Sequence, residues 1–157
     1  AAGDRGILHE EDLPDAHLDA VERFHELTGV RRFNLLLGRG GTELSADQER
    51  RFAAGARDVG RRFGGVAMVE PISATPDYPV ATVDDARPLL EYGGLLLDLY
   101  HLAVNDAVDL SVPPEHVQVA DNPGRGAPGT GSLPLEEWVT TLREQGYTGE
   151  VAAEWLP

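Results

Sequence analysis

The chain has 157 residues, the length of one domain, and 41% of them are hydrophobic, which is enough to build a buried core. It carries 27 acidic and 13 basic residues, and the resulting charge of −14 repels nucleic-acid backbones and anionic membranes. No run approaches the roughly 18 apolar residues of a membrane span, and the lack of cysteine excludes disulfides and thiolate metal sites. We therefore expect one soluble, cytoplasmic domain over residues 1–157 that binds a small molecule, and neither nucleic acid nor membrane.

The first half of the chain alternates between helical and strand-like segments. Apolar residues recur at helical spacing over residues 12–28 and stop at a glycine. Arg32–Leu37 is strand-like and is closed by a glycine-rich segment, which lacks the Walker lysine and the dinucleotide spacing and is therefore interpreted as a turn. Ser45–Gln48 has the form of a capping box and predicts the start of a second helix.

The second half continues this alternation. The apolar run within Gly65–Pro71 is typical of a parallel strand that is buried on both sides. A helix is predicted over Val83–Tyr92, where Pro88 kinks or shortens it. Ala103–Glu115 has room for one or two helical turns, and a last helix begins near Pro134. Three more strands are predicted at Gly94–Leu99, His116–Ala120 and Glu150–Glu154.

The order of these elements predicts the fold class. Helices that alternate with strands imply an α/β fold with a parallel sheet and right-handed crossovers. In such folds the functional residues gather at the carboxyl ends of the strands. The polar residues at these ends are therefore the candidates for a site.

Four predicted strands carry a polar residue at the carboxyl end: Glu70, Asp98, Gln118 and Glu154. Three carboxylates that converge would repel one another without a cation, and oxygen ligands of this kind favour Mg²⁺ or Mn²⁺. The alternative is that acids end strands by chance in so acidic a chain. For any single residue we favour that alternative, but for all four together, with His101 three residues beyond Asp98, we favour a site.

The fourth predicted strand leads into Asp121-Asn-Pro-Gly-Arg125, which cannot continue a regular element. Asp121 and Arg125 add a carboxylate and a guanidinium fork, which are able to bind a metal or a small oxygenated molecule.

Five segments carry a resemblance to a known family: Val69–Ile72, Leu97–His101, His116–Arg125, Pro128–Gly131 and Gly146–Glu154. Together they resemble the hydroxypyruvate isomerase family of the xylose-isomerase-like TIM barrel superfamily, over essentially the whole chain. The resemblance implies a partial TIM (β/α) barrel of about five parallel strands with outer helices. Because the family has eight strands and the start of this chain resembles the loop after the third, we expect the barrel to be incomplete at its N-terminal side.

The resemblance also implies a divalent metal, Mg²⁺ or Mn²⁺, with the ligands Glu70, Asp98, Gln118 and Glu154. Glu70 and Glu154 would in addition be the catalytic acid–base pair, while His101 and Arg125 would bind the substrate, Arg125 through a carboxylate.

The implied activity is that of an intramolecular oxidoreductase of the aldose–ketose type. Its substrate is a small α-hydroxy carbonyl compound: hydroxypyruvate, which becomes tartronate semialdehyde, or a related sugar. A base takes the carbon-bound proton, an acid returns one at the neighbouring carbon, and the metal stabilises the enediolate between them.

Two positions depart from the family pattern, because Gly126 stands where most members have histidine and Ser132 where they have an acid. With the missing strands, these departures support an alternative, a degenerate barrel fragment that serves as a non-catalytic binding or assembly domain. Open sheet edges would favour a homo-oligomer that covers them. A metal-dependent nuclease is a third option, against which the charge of −14 and the lack of histidines on most strands argue.

Overall fold

Five parallel strands with intervening helices make up residues 5–156, the part of the chain that the computed structural model describes. The strands are β1 (Arg32–Asn34), β2 (Val66–Val69), β3 (Gly94–Asp98), β4 (His116–Val119) and β5 (Val151–Ala153). The helices are α1 (Asp15–Thr28), α2 (Ala46–Phe63), α3 (Val83–Ala86), α4 (Leu99–Val104) and α5 (Leu135–Glu144), and a 3-10 helix (Arg87–Glu91) follows α3. Within these residues no helix is long and apolar enough to cross a membrane.

Each strand pairs in parallel with the next one along the chain, in the order β1-β2-β3-β4-β5. The sheet curls into part of a barrel, which confirms the predicted α/β partial TIM barrel. Because all strands run in one direction, their carboxyl ends meet at one edge. The register sets Asp98 opposite Gln118, so these two predicted site residues lie side by side, and Gln118 lies opposite Ala152, two residues before Glu154.

The core lies on both faces of the central strands. Leu95, Leu96 and Leu97 in β3 are all buried, although successive side chains of a strand point to opposite faces. Phe52 and Val59 of α2 pack into the same cluster from one side. Burying one such side chain contributes about 2 kcal/mol, so the middle of the sheet is a firm base for the residues at its carboxyl edge.

The predicted helix boundaries follow from their capping residues. The Ser45 hydroxyl accepts from the backbone N–H of Gln48, and the Gln48 side chain accepts from the backbone N–H of Ser45, so the predicted capping box is confirmed. The helix predicted over Val83–Tyr92 is α3 followed by the 3-10 helix, and Pro88 lies at the start of the latter. Pro88 therefore shortens the α-helix, as expected.

Two boundaries differ from the prediction. β1 ends at Asn34, three residues before the predicted end, because the backbone N–H of Leu37 turns away to donate to the Tyr78 hydroxyl at 3.4 Å. The short helix expected within Ala103–Glu115 instead begins at Leu99. Asp98 caps this helix directly from the end of β3, so no loop separates strand from helix.

Candidate active site and metal centre

The centre of the candidate site is a buried cluster of three side chains, Glu70, Asp98 and His101. His101 Nε2 lies 3.9 Å from Glu70 Oε1 and 3.8 Å from Asp98 Oδ2. The ligand atoms of the three residues all lie within 4.8 Å of one another, which is close enough for them to hold a metal ion. The fold thus brings together two of the four predicted metal ligands and one predicted substrate residue.

Burial changes the protonation of the two carboxyl groups in this cluster. It raises the pKa of Glu70 from its ordinary value of 4.5 to about 7, and the hydrogen bond from Asn34 opposes the rise. Burial also raises the pKa of Asp98, whereas the positive charge of Arg125 opposes this rise. A carboxyl group with a pKa near 7 can both take and return a proton at neutral pH, which is what a general acid–base group requires.

Asn34 holds Glu70 from the neighbouring strand. The Asn34 amide Nδ2 donates to Glu70 Oε2 at 2.5 Å, so the other oxygen, Oε1, is the one that faces His101. The sequence pattern does not mark Asn34 as a site residue, because the predicted first strand runs on to Leu37. The signal was nevertheless present, since Asn34 is the polar residue at the true carboxyl end of β1.

Ser73 fixes the orientation of the His101 ring. His101 Nδ1 lies 3.2 Å from the backbone nitrogen of Ser73 and 2.7 Å from its hydroxyl, and both groups are buried. Because a backbone N–H can only donate, Nδ1 accepts, and a neutral ring carries its proton on Nε2.

The neutral ring is the form that the surroundings favour. Burial, followed by the positive charges of Arg125 and Arg5, lowers the pKa of His101 to about 4. His101 therefore presents an N–H donor to the space between the two carboxylates. To ligate a metal through Nε2, the ring would have to move its proton to Nδ1, where it would oppose the N–H of Ser73.

Gln118 contributes an unpartnered amide oxygen. Its Oε1 atom is buried and accepts no hydrogen bond within the described residues. Leaving such an acceptor unsatisfied costs about 1–3 kcal/mol, which a bound cation would offset. Gln118 is the strand neighbour of Asp98, and with the carboxylates of Asp98 and Glu70 its amide would supply an all-oxygen donor set, which fits a hard divalent cation.

Glu154 reaches this cluster through Arg125. Arg125 Nη2 donates to Asp98 Oδ2 at 2.9 Å and lies 3.1 Å from Glu154 Oε1. Arg125 Nε donates to the backbone carbonyl of Glu154 at 3.1 Å. The Glu154 side chain is 51% exposed, so it lies at the rim of the site, with the guanidinium between it and the buried carboxylates.

The Asp121 carboxylate accepts hydrogen bonds from the backbone of its own loop. It accepts from the backbone N–H groups of Leu133, Asn122 and Gly129 at 2.9–3.0 Å. Hydrogen bonding to the backbone, above all at Leu133 and then at Gly131, lowers the pKa of Asp121. The residue that we expected to be able to bind a metal or a small molecule therefore organises the segment that follows β4. A Cβ atom at Gly131 would clash with the Asn122 carbonyl and the Asp121 carboxylate, which explains the glycine there.

The two positions that depart from the family pattern lie in the same loop. Gly126 exchanges backbone hydrogen bonds with Asp121, with its N–H 2.9 Å from the Asp121 carbonyl. Ser132 is exposed, and both its N–H and its hydroxyl donate to the Asn122 carbonyl. Both residues thus support the loop backbone through their hydrogen bonds to Asp121 and Asn122.

Comparison with known proteins assigns the fold to a family. Residues 9–157 match the family model described as a xylose isomerase-like TIM barrel. A putative hydroxypyruvate isomerase of Streptomyces coelicolor is 35% identical over an alignment of 179 positions, which covers 98% of this chain and 64% of the relative. The hydroxypyruvate isomerase of Escherichia coli K12 is 27% identical over an alignment of 181 positions, which covers 100% of this chain and 69% of that protein.

A solved structure shows the same arrangement of strands and helices. The crystal structure of an AP endonuclease, family 2, from Brucella melitensis superposes with a TM-score of 0.83 at 24% identity, over 99% of this chain and 68% of that one. The chain thus spans about two thirds of the length of these proteins. The expected similarity to hydroxypyruvate isomerases is confirmed, and the match over residues 9–157 shows that the chain belongs to the xylose isomerase-like TIM barrel family.

Proposed function

We propose that this protein is an isomerase of small α-hydroxy carbonyl compounds that converts hydroxypyruvate into tartronate semialdehyde with Mg²⁺ or Mn²⁺. The observation that carries the proposal is the buried carboxyl group of Glu70, with a pKa of about 7, beside Asp98 and the unpartnered oxygen of Gln118. The names of the two relatives described above supply the substrate.

Glu70 is the proposed base. A pKa of about 7 leaves a substantial ionised fraction at neutral pH, and that fraction can take the carbon-bound proton. Because Asn34 holds Oε2, the oxygen that exchanges the proton is Oε1, which faces the cluster. Glu154 is the proposed partner that returns a proton at the neighbouring carbon, from the rim of the site.

Glu70, Asp98 and Gln118 are the proposed inner ligands of the cation, with Glu154 as the fourth. When bound, the cation would stabilise negative charge that develops on the substrate oxygens. His101 would orient the substrate by donating its Nε2 proton to one of these oxygens, because its other ring nitrogen is occupied by Ser73.

Arg125 is the proposed partner of the substrate carboxylate. An anionic substrate approaches a chain with a charge of −14, so a local cation is needed to bind it. Arg125 lies at the carboxyl edge of the sheet with its guanidinium beside the cluster, and its planar fork matches a carboxylate.

Turnover in D₂O, followed by proton NMR, tests this proposal. We expect hydroxypyruvate with Mn²⁺ or Mg²⁺ to give tartronate semialdehyde with solvent deuterium at the carbon that accepts the proton. Glu70→Gln and Glu154→Gln should each lower the rate by about a hundredfold or more. Metal binding without any turnover would contradict the isomerase and favour the non-catalytic alternative.

The edge strands β1 and β5 each pair with only one neighbour within the described residues. Exposed backbone at such edges favours association, and we propose that a second copy covers them. Light scattering during size-exclusion chromatography should then give a mass above the 16.9 kDa of one chain.

A further inference from the structure

Arg125 is the cation that the carboxylates of the site hold in this structure. Asp98 Oδ1 is already used, since it accepts from the backbone N–H groups of Tyr100 at 2.9 Å and His101 at 3.4 Å. Asp98 Oδ2 is therefore the oxygen that remains for a ligand, and Arg125 Nη2 donates to it at 2.9 Å. The same Nη2 lies 3.1 Å from Glu154 Oε1, so one nitrogen bridges two predicted metal ligands.

The position of Arg125 is held by several contacts. Its side chain is only 17% exposed and packs over the Tyr100 ring at 5.5 Å from the ring centre. Its carbonyl accepts from the backbone N–H of Leu156 at 2.8 Å, and its Nε donates to the Glu154 carbonyl. Its backbone has a φ of 58°, a conformation that costs a residue other than glycine about 1 kcal/mol or more. The structure thus maintains this contact at a cost in backbone strain.

A metal ion and the Arg125 guanidinium cannot both bind Asp98 Oδ2 and Glu154 Oε1 at the same time. A divalent cation ligated by Asp98 and Glu154 would place its charge where Nη2 now lies, and two cations at that distance repel each other strongly. Without a metal, removal of the guanidinium would leave Asp98 buried without a compensating charge.

We propose that Arg125 and the divalent cation compete for Asp98 Oδ2 and Glu154 Oε1, and that metal binding releases the guanidinium to bind the substrate carboxylate. The competition involves only Arg125 and the metal ion, whereas the transfer of the guanidinium to a substrate carboxylate rests on the proposed function. The exchange couples the two ligands: metal binding raises the affinity for an anionic substrate, and by linkage the substrate raises the affinity for the metal.

Calorimetric titration with Mn²⁺ alone tests the competition. We expect Arg125→Met to bind Mn²⁺ about tenfold more tightly than the unaltered protein, because the competing cation is gone. Arg62→Met is the matched control, since the Arg62 side chain is 19% exposed and, from α2, also bridges two carboxylates, those of Asp19 and Glu22 on α1. It removes the same charge and should change the Mn²⁺ affinity by less than about twofold.

A second measurement uses the unaltered protein and does not depend on how a variant folds. The Nε–H resonance of Arg125 in ¹H–¹⁵N spectra should move as Mg²⁺ is added and reach its end point when the site is saturated, because its bond to the Glu154 carbonyl is lost or altered. An Arg125 resonance that does not move at saturating Mg²⁺ would overturn the proposal. Equal or weaker Mn²⁺ binding by Arg125→Met would overturn it as well.

The transfer to a carboxylate is tested with glycerate, which has the carboxylate but no carbonyl group to isomerise. With Mg²⁺ present, Arg125→Met should bind glycerate about tenfold more weakly than the unaltered protein, so that one substitution changes metal and anion affinity in opposite directions. Unchanged glycerate affinity would overturn this part. None of these measurements needs turnover, so the competition can hold when hydroxypyruvate is not converted, and turnover can occur when the competition fails.

Discussion

Asn34 and Glu70 are joined across the first two strands by a 2.5 Å hydrogen bond, in which the amide Nδ2 donates to the carboxylate Oε2. Glu70 is buried, whereas Asn34 lies exposed on the edge strand β1. Burial raises the pKa of Glu70 to about 7, and the Asn34 bond opposes this rise because it stabilises the ionised form. An edge residue thus adjusts the acidity of the residue at the centre of the site.

Asn34→Ala should therefore move metal binding to higher pH. A metal binds the ionised carboxylate, and without the donated bond the pKa of Glu70 lies further above 7. We expect the pH at which Mn²⁺ affinity is half-maximal to rise by roughly 0.5 to 1 unit, measured by calorimetry from pH 5.5 to 8.5. Asn34→Asp should give a larger rise, because it adds a like charge. A downward shift in either variant would contradict the role given to Asn34.

Glu70→Gln should stabilise the metal-free protein at high pH. The folded-state pKa of about 7 lies above the ordinary 4.5, so the folded protein prefers the protonated carboxyl. The contribution of protonated Glu70 to the stability of the fold is present in full below about pH 4.5 and is lost as the pH rises through 7. Above that pH, ionised Glu70 lowers the free energy of unfolding by about 3 kcal/mol. Urea unfolding measures the free energy of unfolding of both proteins. The value for Glu70→Gln minus that for the unaltered protein should be about 2–3 kcal/mol larger at pH 8 than at pH 4.5.

Added Mg²⁺ should reverse that advantage. A ligand that binds only the folded state raises the stability of that state. At pH 8 the thermal midpoint of the unaltered protein should therefore rise on addition of Mg²⁺, and that of Glu70→Gln should rise much less. An equal gain in the two proteins would show that the cation binds elsewhere.

Gln118→Leu should change stability and metal affinity in opposite directions. Oε1 of Gln118 is buried without a hydrogen bond, so replacement by an apolar side chain of similar size should stabilise the metal-free protein by about 1 kcal/mol. The same change removes a proposed ligand oxygen and should weaken Mn²⁺ binding about tenfold or more. Urea unfolding and calorimetry measure the two effects, and a destabilised variant with unchanged affinity would assign the amide a purely structural role.

Asp121→Ala should destabilise the fold. The carboxylate accepts from three backbone N–H groups of the loop after β4, and these donors would be left without a partner. We expect the thermal midpoint to fall by about 5 °C or more. Asp109→Ala is the matched control, since that partly exposed carboxylate accepts from one backbone N–H, that of Ser111, and should change the midpoint by less than about 2 °C.

The strand order and most helices could be predicted because local patterns determine them. The capping box at Ser45, the proline at position 88 and the apolar run of β2 each act over a few residues, and alternation along the chain then implies the parallel sheet. The end of β1 could not be predicted in this way, because it depends on the Tyr78 hydroxyl, 41 residues away in the sequence.

The candidate site was predictable to the extent that strand ends determine it. Glu70 and Asp98 end neighbouring strands, and a corrected end for β1 would have added Asn34 by the same rule. The contact between Ser73 and His101 spans 28 residues, and that between Arg125 and Asp98 spans 27. Both contacts depend on how the loops fold back over the edge of the sheet, and hydrophobic periodicity does not predict the conformation of loops.

The two carboxylate oxygens of Asp98 have different roles, one in the fold and one in the candidate site. One oxygen caps α4 and the other faces Arg125 and the cluster. Asparagine could keep the cap through its carbonyl oxygen while turning an NH₂ group towards the guanidinium and the proposed metal ligands. A lineage without the proposed activity could therefore accept asparagine here without losing the helix, whereas alanine would remove both the cap and the carboxylate. Among diverged relatives, asparagine at this position would mark a barrel that still folds but has lost its chemistry.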